Sequence, residues 1–185
     1  MRQDNRVIGA GEIWFKKEGA GDFTKIGEIQ SAKISTNVEK KETFDKSSTM
    51  KKIVDMCAKS VNATITFDTR KLNKHNMAMH MLGEEETETF AIGDTLPDGT
   101  VATAETTIPV IKAGVNPLIK GAVKFIGDDD GDERPVLVCE YCVITPSGDR
   151  ELIGEDYVGI SFEGAVLVDD EGMLYKEYLI PVSEG

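Results

Sequence analysis

Two stretches in which apolar and polar side chains alternate constrain this chain more than anything else in it. Over 33–39 the residues Ile34, Thr36 and Val38 alternate with Lys33, Ser35, Asn37 and Glu39. Over 61–68 Val61, Ala63, Ile65 and Phe67 alternate with Asn62, Thr64, Thr66 and Asp68. In an extended chain successive side chains point to opposite faces, so a repeat of two marks a strand with one buried and one wet face. Each stretch is therefore expected as a strand whose polar face looks at water or at something polar. The segment between them, at 47–59, fits two templates. Met50, Ile53, Val54 and Cys57 fall at i, i+3, i+4 and i+7 as on an amphipathic helix, whereas Val54, Met56 and Ala58 fit a strand.

One short helix is expected over 72–82, with Asn73 as its N-cap, Met77 and Met81 one turn apart, Ala78 and Leu82 likewise, and Gly83 as its stop. Elsewhere strand follows turn. Residues 12–17 and 23–29 read as a hairpin joined by glycines. Further strands are expected over 87–92, 101–111, 118–126, 135–145, 154–168 and 173–181, separated by LPDG, DDDGDE, PSGD and DDEG. Repeated short strands with turn signals between them point to an antiparallel β-sandwich or barrel. At 185 residues the chain is long enough for one domain with a real core, and residues 1–11 read as an N-terminal arm.

The charge balance narrows function. Lys and Arg number 21 against 33 Asp and Glu, a formal net charge of -12, with a pI near 4.6. Binding nucleic acid through its phosphates needs a basic surface, so this balance argues against it. No apolar run approaches the ~20 residues that cross a bilayer. The first residues lack the apolar core of a secretory signal, so synthesis and assembly in a cytoplasm are expected.

Motifs that carry chemistry fail on inspection. Gly9 and Gly11 make a GxG with no strand before it, and Trp14 stands where the third glycine of a dinucleotide loop belongs. Cys139 and Cys142 make a CxxC inside a strand, where residues three apart point to opposite faces; the expectation is two buried structural thiols that diverge. His75 and His80 are five apart and off a shared helix face. Setting Gly131 at the sixth position of a calcium loop puts Ile126 first and Leu137 twelfth, and neither is a ligand. With no nucleophile elbow and no phosphate loop, no enzyme activity, metal or cofactor is expected.

The order of elements over 12–83 resembles the tail tube (major tail) proteins of long-tailed bacteriophages. The resemblance is carried by EIWFKK, FTKIGEIQSAKISTNVEKKETFD, a polar excursion, then VNATITFDTRKLNKHNMAMHMLGE. It implies a mainly β fold, two sheets in an antiparallel sandwich or barrel with one short flanking helix. It also implies assembly into six-membered rings that stack into a hollow virion tube carrying DNA without binding it specifically. The excursion over 45–60, with Lys46, Met50, Ile53, Val54 and Met56, becomes a long extended arm or hairpin reaching the next ring. Met77, Met81 and Leu82 become helix packing or subunit contacts. Partners implied are other copies of the chain and tape-measure, tail-terminator and distal tail proteins.

Joining sheets edge to edge would line the channel with Ser35, Asn37, Glu39, Asn62, Thr64, Thr66 and Asp68; Lys33, Lys40 and Lys41 fit that wall least well. Two other readings stay open. One is the tube protein of a contractile tail or injection machine with a sheath. The other is a soluble β-sandwich binding module, against which count the low aromatic content of 6% and a single tryptophan, Trp14, placed in a strand.

Overall fold

The computed structural model describes residues 10–44, 53–129, 131–150, 152–153 and 159–182. In chain order they form β1 (Gly11–Lys17), β2 (Thr24–Lys25), β3 (Ile29–Phe44), β4 (Ile53–Thr69), α1 (Lys74–His80), β5 (Glu84–Phe90) and β6 (Thr106–Lys112). Then come β7 (Ile119–Gly127), β8 (Glu133–Ser147), β9 (Ile160–Leu167) and β10 (Lys176–Pro181). Eight strands make one antiparallel sheet, in the order β2, β1, β7, β8, β9, β4, β3, with β10 paired to β8. Strands β9 and β10 lie along the same side of β8, against Tyr141–Ser147 and Glu133–Val138 respectively. A separate two-stranded sheet is formed by β5 and β6.

The sheet wraps one core. Ile13 and Phe15 of β1, Ile65 and Phe67 of β4, Val123 of β7, Ile144 of β8 and Phe162 of β9 all enter it. The rings of Phe67 and Phe162 stack with centroids 5.1 Å apart. The fold is thus mainly β and antiparallel with one short helix, as expected, but the sheet does not close into a barrel. Strands β1 and β3 face each other across a cavity of about 210 Å³ lined by Ile13, Ala32, Ile34, Ile65, Phe125 and Leu137. Closure fails because β2 pairs with β1 only at Trp14 and Phe15. Left-handed backbone at Gly27 (φ 76°) and Glu28 (φ 43°) then turns the chain away into β3.

A bulge corrects the expectation for the two core cysteines. Gly121 pairs with Cys142 and Val123 with Cys139, so two residues of β8, Glu140 and Tyr141, stand against Ala122 alone on β7. One extra residue in a strand reverses the alternation beyond it. Both thiols therefore enter the core, each at most 1% exposed. The adjoining Cys139 sulfur and burial together push the Cys142 thiol up.

Helix α1 is shorter than its periodicity suggests. Asn73 caps it, its side chain accepting from the Asn76 N–H at 2.7 Å, while the buried Asn76 amide donates to the carbonyls of Ile26 (3.0 Å) and Lys71 (2.8 Å). Leu82, at φ 50°, ends the helical path. Gly83 follows because a Cβ there would sit 2.5 Å from the Lys112 carbonyl oxygen. That close approach ties the base of the β5–β6 ribbon to the helix, and Asn116 adds hydrogen bonds to the carbonyls of Leu82 (2.8 Å) and Gly83 (3.2 Å).

Candidate functional site

The long hairpin of β3 and β4 pairs continuously from Ile29 opposite Thr69 to Phe44 opposite Ile53. Its register puts Ser31 against Asp68, Lys33 against Thr66, Ser35 against Thr64, Asn37 against Asn62 and Glu39 against Ser60. Cross-strand partners share a face, so Ser35, Asn37, Glu39, Asn62, Thr64, Thr66 and Asp68 come together on one surface, the side away from the core. Strand β9 extends it through Ala165, Glu163 and Ser161, which stand opposite Thr64, Thr66 and Asp68.

Charges on this face are paired rather than uniformly acidic. Ser31 Oγ donates to Asp68 at 2.5 Å. Hydrogen bonds from Ser161 and then Ser31, with the Lys33 charge nearby, hold the Asp68 carboxyl below its usual range. Glu39 accepts from Lys59 Nζ at 2.8 Å and from Ser60 Oγ at 3.2 Å. Much of the chain's acid excess sits instead on β5, where Glu84, Glu85, Glu86 and Glu88 are exposed.

Past the pair Ala63–Val166, β9 ends and β4 keeps β3 as its partner. Residues 37–44 and 53–62 thus leave the sheet as a two-stranded ribbon, eight residues on β3 spanning about 26 Å at strand rise. Register shifts after Glu39 and after Thr43 leave the pairs Val38–Val61, Lys40–Ala58, Glu42–Met56 and Phe44–Ile53 on one face. Five apolar side chains on that face, Val38, Phe44, Ile53, Met56 and Val61, are 42–50% exposed. A two-stranded ribbon has no core of its own, and a solvent-facing apolar row of this size marks a contact surface. Of the residues expected on the arm, Ile53 and Met56 lie here, Val54 belongs to β4, and Lys46 and Met50 fall outside the described residues. Residues 53–59, one of whose two templates was helical, are strand because they pair with β3.

A family model described as protein of unknown function UCP028589 matches residues 6–114, more than half of the chain. The chain belongs to that family. No curated protein matches it. The family's span runs through β6, so it takes in the long hairpin, α1 and the β5–β6 ribbon, and it stops before β7.

Within the family's span, the apolar residues of α1 and of the Met81–Leu82 turn after it lie in three surroundings. Met79, which the sequence pattern did not single out, enters the core, and Leu82 packs against it. Its signal was its place one turn beyond Asn76, the residue that anchors the helix to Ile26. Met81 Sδ lies 3.8 Å from Arg150 Nη1. Met77 lines a groove of about 470 Å³ between α1 and the β5–β6 ribbon. His75 approaches Glu85 at 3.5 Å, and His80 turns its edge toward Phe162 with ring centroids 6.0 Å apart. Among the described residues no cluster of His, Cys, Asp or Glu is arranged to hold a metal ion, and no helix is long and apolar enough to cross a membrane.

Proposed function

We propose that this chain is a structural subunit that assembles with its own copies into stacked six-membered rings. Those rings form a hollow tube of the kind built by the tail tube proteins of long-tailed bacteriophages. The observation that carries this reading is the state of β3. It is a 16-residue strand at the end of an open sheet, paired with β4 alone among the described residues. A long open edge is a template for another strand, and a stable soluble protein hides or blunts it. Here it runs on into a ribbon exposing Val38, Phe44, Ile53, Met56 and Val61.

Pairing on further copies satisfies both features at once. A repeated head-to-tail contact that closes on itself gives a ring, and the barrel that one chain leaves open is then completed by several. The core face of the hairpin turns outward and its polar face, from Ser35 to Asp68, inward. Two of the lysines on or beside that wall stand near carboxylates, Lys59 near Glu39 and Lys33 near Asp68. Among the described residues no continuous positive track is left to hold phosphates, so a duplex passes without sticking. The ribbon reaches the next ring, and tape-measure, terminator and distal tail proteins occupy the lumen and the two ends. The working location is the virion tail, and the role needs no cofactor.

Electron microscopy of purified protein at rising concentration tests the reading. Rings or tubes with a hollow centre are expected; a protein that stays monomeric at millimolar concentration overturns it.

A further inference from the structure

We propose that the acidic β5–β6 ribbon of one copy is the receptor for the distal β3–β4 ribbon of the next. This inference rests on the tube reading and adds to it the surface on which one ring grips its neighbour.

Position is the first argument. The pairs Thr69–Ile160, Ser147–Ser161 and Ile119–Ile144 place the end of β4, the start of β9, the end of β8 and the start of β7 together at one end of the sheet. The base of the β5–β6 ribbon lies at that end, because the chain passes from Thr69 through α1 to Glu84 and from Lys112 to Ile119. The β3–β4 ribbon projects from the opposite end. A contact between the two ribbons therefore joins two copies head to tail, as stacking along an axis requires.

Charge is the second. The β5–β6 ribbon and its loop, residues 84–112, hold seven carboxylates, Glu84, Glu85, Glu86, Glu88, Asp94, Asp98 and Glu105, against one cation, Lys112, which pairs with Glu86. Residues 40–59 hold six lysines against three carboxylates in a chain whose net charge is -12. Lys40 and Lys41 on β3 form no ion pair within 4 Å among the described residues, nor does Glu88. Glu86 and Glu88 share one face of their ribbon, opposite Val110 and Ile108. Opposite charge of this kind sets register and partner choice.

Shape is the third. The groove between α1 and the β5–β6 ribbon has an apolar floor of Met77, Pro109, Val110 and Ile111, with Glu85 and Glu86 beside it and Lys74, which pairs with Glu85 at 3.2 Å, at its edge. The donor ribbon offers Phe44, Ile53 and Met56, exposed on one face, with Lys40 in the same row. An apolar side chain entering the groove brings a lysine to its acidic rim.

Sedimentation velocity and electron microscopy on the full chain test this with two charge reversals, Lys40→Glu with Lys41→Glu, and Glu86→Lys with Glu88→Lys. All four positions are exposed, so each variant is expected to keep the native circular dichroism spectrum. Each reversal alone is expected to raise the concentration needed for stacking about tenfold or more, and the two together to restore it. Wild-type stacking should also weaken as salt is raised. Reversals that stack as well as wild type, or a combination that does not recover, overturn this inference and leave the tube reading standing. A wild-type protein that never associates overturns both.

Discussion

Val38 stands directly opposite Val61 where the long hairpin leaves the sheet, and the two are 45% and 48% exposed. Their strands continue from them to Phe44 and Ile53 with no covering layer among the described residues. In the isolated subunit this pair contributes little, because it is already wet. Replacing both by threonine keeps β-branching and is expected to change subunit stability by no more than about 0.5 kcal/mol. The same change is expected to abolish association. A thermal melt beside sedimentation velocity reads both; a large fall in melting temperature would mean that the pair serves the fold and not the assembly.

The parts of the fold written in a repeat of two were legible in the sequence, and the parts set by contacts between distant segments were not. Ala63, Ile65, Phe67 and Thr69 are buried and alternate with less buried residues, so the periodicity of β4 is the burial pattern itself. The polar face of the proposed lumen followed from the same parity. At Cys139 and Cys142 parity misled, since one bulge reverses every later side chain and leaves no mark in composition. The sequence places a strand over 87–92, and β5 starts earlier, at Glu84, in glutamates that are poor strand formers. It is extended because seven consecutive residues find partners on β6. In α1 the choice of Met79 over Met77 and Met81 for the core is made by Asn76 reaching Ile26, fifty residues earlier in the chain.

The bulge makes a chemical prediction. Cys57 is exposed, whereas Cys139 and Cys142 are buried. A thiolate is the reactive form, and burial in apolar surroundings disfavours it. In native protein a disulfide reagent should titrate one thiol promptly, and in denaturant all three of the sequence. Prompt reaction of three thiols in the native state would contradict the inward placement of the pair.

His80 gives stability a dependence on pH. Its Nε2 is buried without a hydrogen-bond partner among the described residues. Burial, and then the Arg150 guanidinium, hold its pKa below the ordinary value of 6.5. The unfolded chain then binds the proton more readily than the folded one. Stability from this group is fully present above pH 6.5 and is lost as pH falls below that value toward the folded pKa. Urea midpoints measured from pH 7 to pH 5 should fall for the wild type and fall less for His80→Gln. Equal slopes would remove His80 from the account.

The central claim is that the outer edge of β3 finds its missing hydrogen bonds on another copy. Hydrogen exchange of the β3 amides, followed in dilute protein and again in the assembled form, measures this directly. Those β3 amides that point away from β4 are expected to exchange freely in the subunit and to become protected on assembly, while amides of β8 stay protected in both. Assembled protein in which the outward β3 amides exchange as fast as before would contradict the claim.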